Sequence, residues 1–122
     1  MKAEAPNMSV DQLVERFLTI ALEQHEAILD SRYAKYNRLY DQMKSVEAEL
    51  SRHDGNQRLA LLSLLYHPNP QVRPKAAIAS LAVAPEEARE ALQNISDRNE
   101  YPQAADARGM IEALDDGTYK PT

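Results

Sequence analysis

Three histidines, His25, His53 and His67, are the side chains of this sequence best suited to proton transfer or metal binding, and they stand in three separate segments. His25 has Glu23, Glu26 and Asp30 close by, a mixture of imidazole and carboxylate from which a cation site could in principle be made. The spacing does not support it. No His-Glu-x-x-His pair sets two rings one helical turn apart, there is no cysteine to act as a thiolate, and no Gly-x-Ser-x-Gly turn presents a serine nucleophile. The three glycines stand apart at 55, 109 and 117, so no glycine-rich loop cradles a phosphate. We therefore expect no catalytic residue, no metal site and no cofactor. His25 reads as a surface or hairpin-packing residue. His67, directly before Pro68, reads as a cap on the carbonyls that end a helix. The acid pairs Glu86-Glu87 and Asp115-Asp116 fall at helix ends and read as solvated.

A second pattern suits recognition. Tyr33, Tyr36 and Tyr40 recur at helical spacing with Arg32, Lys35, Arg38 and Lys44 among them, so aromatic rings alternate with cations as a single-stranded nucleic acid groove requires. The same spacing serves packing, with rings in a hairpin core, hydroxyls at its rim and arginine stems lying over them, and packing is the reading we favour. Any ring left exposed points to a protein partner, since Tyr and Arg are enriched at interface hot spots. The candidate interaction surface is Arg32, Tyr33, Lys35, Tyr36, Arg38 and Tyr40, with Arg73 and Lys75 further along the chain.

Composition narrows the class. A chain of 122 residues, 43% hydrophobic and 27% charged, fits a single domain over 1–122 with one buried core. The opening MKAEAPNMSVDQL has no apolar signal-peptide run, and no stretch is apolar enough to span a bilayer. With no cysteine, a cytoplasmic setting and no membrane partner are expected. The net charge is -5 and unevenly spread. Residues 1–30 hold two basic and six acidic side chains, 31–75 eight and four, and 76–122 four and nine. We expect the basic middle to pair with the acidic ends on folding, since the overall sign opposes phosphate backbones at long range.

The apolar periodicity is helical throughout. Ser9 and Gln12 form a capping-box pair, and Val10, Leu13, Val14, Phe17, Ala21 and Ile28 make one face of a first helix. A turn is placed near Asp30 and Ser31, followed by a second helix from about Arg32 to Arg52 with a heptad-like stripe through Tyr33, Tyr36, Leu39, Tyr40, Met43, Val46 and Leu50, interrupted only by Glu47. These two helices, within 9–54, form an antiparallel hairpin. Gln57 to about Tyr66 is leucine-rich on nearly all sides and reads as a third helix deep in the core. A fourth runs to about Val83, a fifth starts at Pro85, a sixth spans about Pro102 to Leu114, and 117–122 is a tail.

The stretch His67 to Ala82, HPNPQVRPKAAIASLA, sets three prolines against an alanine-rich helix. Asn69 serves as its cap and Pro70 as its first residue. Pro74 then falls beyond the first turn, where a tightened or kinked opening is expected. Pro-Gln recurs at 70–71 and 102–103, each time opening an alanine-rich helix, which is the signature of a helical repeat over 56–116.

The string LLYHPNPQVRPKAAIASLA resembles a HEAT-type repeat through Val72, Arg73, Ala76, Ala77 and Leu81, with His67 and Asn69 where that pattern usually has aspartates. AKYNRLYDQM, LLYHPNPQVRPKAA, SLAVAPEEAREAL and YPQAADA together resemble the bacterial family named domain of unknown function 2019. The resemblance implies a small all-α, right-handed αα-superhelix of the HEAT/armadillo kind, with five to six helices, and implies no activity. Functionally we expect a non-catalytic protein-protein interaction module, an adaptor or an immunity-type inhibitor, with an unidentified protein partner or a second copy forming a homodimer. The alternative is nucleic-acid binding through the basic middle, using Arg32, Lys35, Arg38, Arg52, Arg58, Arg73 and Lys75.

Overall fold

The computed structural model describes residues 7–122, and among these it contains six helices and no strand. They are α1 (Val10–Leu29), α2 (Tyr33–Arg52), a 3-10 helix (Gln57–Leu64), α3 (Val72–Ser80), α4 (Pro85–Arg98) and α5 (Gln103–Asp115). The chain divides into two compact units that meet in sequence at Ala60 and Leu61.

The first unit is the hairpin. The Ser9 hydroxyl accepts the Gln12 amide at 3.2 Å while the Gln12 side chain accepts the Ser9 amide at 2.9 Å, so two otherwise orphaned donors are satisfied at the start of α1. At the other end Ser31 takes a left-handed conformation, φ 55°, and the Arg32 amide reaches back to the Ala27 carbonyl at 2.8 Å. That six-to-one bond stops the helix where the sequence places its turn. Three residues then separate α1 from α2, and the two helices pack along each other, which so short a link permits only in antiparallel order. Leu13, Phe17, Ile20, Ala21 and Ala27 of α1 and Leu39, Met43, Val46 and Leu50 of α2 are buried.

The second unit packs α3 on α4 and α4 on α5, with fewer contacts between α3 and α5. Small residues make this possible: Ala76, Ala77 and Ala79 of α3, Ala88 and Ala91 of α4, and Ala104 and Ala107 of α5 are all buried. Pro85 opens α4 at its first position, with Glu86 and Glu87 in the first turn beside the positive end of the helix dipole. Asn99, in the left-handed region at φ 56°, closes it.

Two sequence expectations are corrected here. Residues 57–64 form a 3-10 helix, not an α-helix, and they are not buried all round. Leu61 and Leu64 are buried, while Leu59 stays 41% exposed. Leu61 and Leu64, three residues apart, share one face and Leu59 falls on another. Pro74 causes no disruption. The Asn69 side chain does accept the Gln71 and Val72 amides, at 2.8 and 3.3 Å, but the α-helix proper begins at Val72. Pro74 is thus its third residue, inside the first turn, where an amide has no intrahelical acceptor to lose.

Candidate interaction surface

The helix period sorts the residues of α2. At about 100° per residue, Leu39, Met43, Val46 and Leu50 form the stripe that meets α1. Tyr36 sits at its edge and is half-buried. Tyr33, Tyr40 and Lys44 fall on one flank of that stripe, and Lys35 and Arg38 fall on the other. The rings and these cations therefore do not alternate along one groove, which corrects the groove reading. The packing reading is corrected as well: Tyr33 is 70% exposed and Tyr40 42% exposed, so neither ring fills the hairpin core.

The tyrosine flank has its own polar anchor. Lys44 lies over the Tyr40 ring, its Nζ 5.4 Å from the centroid, and stands 3.7 Å from Glu47 Oε1. Lys44 is neutralised in part by Glu47. Leu29, the last residue of α1, is 70% exposed just across the turn from Tyr33. Sequence reasoning missed Leu29, although it falls well off the stripe defined by Leu13, Phe17, Ile20 and Gln24. Arg32 and Arg38 are exposed and Lys35 is half-buried. Arg32 occupies the N-cap of α2 without a side-chain capping bond.

Arg73 and Lys75 lie in the second unit, on α3. Lys75 is half-buried. Arg73 is only 5% exposed, which removes it from any accessible surface. Its Nη1 donates to the carbonyls of His67 and Pro68, each at 2.9 Å, and its Nη2 to Glu100 Oε1 at 2.5 Å. Among the described residues its Nε has no hydrogen-bond partner. Burial and the nearby Arg98 guanidinium lower the Arg73 pKa, and the Glu100 carboxylate opposes them. The residue is a clamp: it ties the chain entering α3 to the segment between α4 and α5. The Arg73–Glu100 pair joins the basic middle to the acidic last third, while Lys44–Glu47 and Arg52–Glu49 pair within the middle.

Glu100 also accepts from Arg98 Nε at 2.9 Å, so one carboxylate holds two guanidinium groups. A second clamp, unnoticed in the sequence, is Arg108 of α5. It donates to the Ser96 hydroxyl at 2.9 Å, to the Ser96 carbonyl at 2.7 Å, and to Asn99 and Tyr101, thereby satisfying the C-terminal end of α4.

His67 Nδ1 accepts the Asn69 amide at 3.0 Å, so the ring shapes the loop ahead of it, which corrects the expectation that it caps the carbonyls ending the helix before it. His53 lines a cleft of about 490 Å³ with Val10, Glu49, Arg52, Asp54 and Gln57. Glu49 there is paired with Arg52 at 2.7 Å. Among the described residues no group of three His, Cys, Asp or Glu side chains is placed to hold a metal ion, and no helix is long and apolar enough to cross a membrane.

An all-helical chain of this kind, with a two-helix hairpin and a three-helix unit closed by arginine clamps, defines the class. Residues 11–115 match the family described as Domain of unknown function (DUF2019), and the chain belongs to that family. The crystal structure of the protein RPA1889 from Rhodopseudomonas palustris CGA009 is similar at 44% sequence identity and a TM-score of 0.95, covering 99% of this chain and 100% of that one. No curated protein matches the sequence.

Proposed function

We propose that this chain is a non-catalytic protein-interaction module, an adaptor or an immunity-type inhibitor, which docks its partner on the tyrosine flank of the hairpin. The observation that carries the reading is the exposure of Leu29 and Tyr33, 70% each, at adjoining ends of α1 and α2, with Tyr40 beyond them. Exposed large apolar side chains are the usual material of a docking surface. Support for a HEAT-like repeat in the second unit comes from Gln71 and Gln103, which open α3 and α5 thirty-two residues apart and hydrogen-bond to each other. Arg73 stands where the HEAT pattern has its arginine, with backbone carbonyls and Glu100 in place of an aspartate ladder.

Nucleic-acid binding has less support. Of the seven cations it would use, Arg73 is buried, Arg52 is paired with Glu49, and Arg58 is bonded to Asn56 Oδ1 at 3.0 Å. Affinity capture from the source cell tests the proposal. The wild-type chain retains a partner that the Leu29→Ser, Tyr33→Ser double variant loses. Retention of the same partner by both, or repeated recovery of none while the pure protein turns over a substrate, contradicts it.

A further inference from the structure

The eight residues Gln57–Leu64 hold a 3-10 conformation although their sequence, QRLALLSL, consists mostly of strong α-helix formers. Runs of 3-10 helix beyond three or four residues are uncommon, because the hydrogen bonds are poorly aligned and side chains three apart eclipse. The bonds at its two ends are long, 3.3 Å from the Leu59 amide to the Asn56 carbonyl and 3.2 Å from the Leu65 amide to the Leu62 carbonyl. Local preference and observed conformation are thus in conflict, and such conflicts mark strained or functional segments.

What holds the segment can be named. At its start Gly55 and Asn56 both take positive φ, 78° and 52°. The Gln57 side chain ties to the Asp54 carbonyl at 2.8 Å, and Arg58 Nε to Asn56 Oδ1 at 3.0 Å. Along its length Leu61 and Leu64, 0% and 8% exposed, share a row of the 3-10 helix, and at three residues apart they would share a face of an α-helix as well. These contacts stand against the α preference of the whole segment.

The geometry points to a conformational switch: residues 57–64 exchange between the observed 3-10 helix and an α-helix. The change shortens the segment by about 4 Å, from roughly 2.0 to 1.5 Å rise for each of eight residues, and shifts its turn by about 20° per residue. The switch lies across the Ala60–Leu61 boundary where the two compact units meet in sequence. A ligand that prefers one form shifts the balance by its difference in affinity for the two.

Nuclear magnetic resonance on the whole chain decides the matter. We expect Hα–HN contacts between residues two apart, the mark of a 3-10 helix, together with contacts four apart, Gln57 to Leu61 and Ala60 to Leu64, and relaxation dispersion confined to 57–64. Contacts two apart alone with flat dispersion would show a permanent 3-10 helix and overturn the switch. Contacts four apart alone would overturn it from the other side.

Discussion

Gln103 donates a hydrogen bond from Nε2 to Gln71 Oε1 at 3.0 Å, and both side chains are buried, at 2% and 1% exposure. The two residues follow the two prolines of the repeated Pro-Gln dipeptide, so equivalent positions of the repeat meet each other. An amide buried between alanine-rich helices costs several kcal/mol of lost hydration unless it is bonded. Here each satisfies part of the other.

That pairing predicts non-additive energetics. Gln103→Leu leaves Gln71 Oε1 without its donor and should destabilise the fold by about 1–3 kcal/mol. Adding Gln71→Leu should recover part of the loss, because no polar atom is then left stranded at that contact. Urea unfolding of both single variants and the double variant measures the coupling. Strict additivity contradicts a direct pair.

Arg73 carries the next prediction. Arg73→Ala removes donors from two carbonyls and from Glu100 at once, and should destabilise by about 3–4 kcal/mol. Glu100→Gln, at a half-exposed site that water can reach, should cost only about 1–2 kcal/mol. Equal losses would place the stabilisation in the ion pair and not in the clamp on the His67 and Pro68 carbonyls.

Pro74→Ala separates two accounts of the proline. A proline in a helix interior destabilises by about 3 kcal/mol, so its removal there stabilises. In the first turn of α3 its removal instead costs about 0.4–1 kcal/mol through the freer unfolded chain. Thermal unfolding gives the sign directly.

Asp116 gives a pH test. Hydrogen bonds from the Thr118 side chain and amide hold its carboxyl below the usual aspartate value. The folded pKa is depressed, so the stabilisation is fully present above the ordinary aspartate pKa and is lost as pH falls through the lowered one. Thr118→Val should raise the Asp116 midpoint in a carboxyl ¹³C titration. An unchanged midpoint removes the hydroxyl from the account.

The helical class, the capping box, the turn at Asp30 and Ser31 and the opening of α4 at Pro85 were legible because each is decided within a few neighbouring residues. The 3-10 helix was not, since its leucines have α propensity and the three-residue spacing of the buried Leu61 and Leu64 fits either helix. Arg73 read as a surface cation because sequence cannot show that Glu100, twenty-seven residues on, and two loop carbonyls surround it. The tyrosines were read as one set, but Tyr36 is half-buried at the edge of the core stripe while Tyr33 and Tyr40 are exposed. Their flank lies beside the core stripe, and their exposure depends on what α1 sets opposite them.

The docking claim is tested most directly by photocrosslinking in the source cell. A benzophenone amino acid at position 33 should form a covalent adduct with a discrete partner protein, while the same group in place of Tyr66, 62% exposed in the second unit, should not. No adduct at 33, or the same adduct from both positions, contradicts a partner held on the hairpin flank.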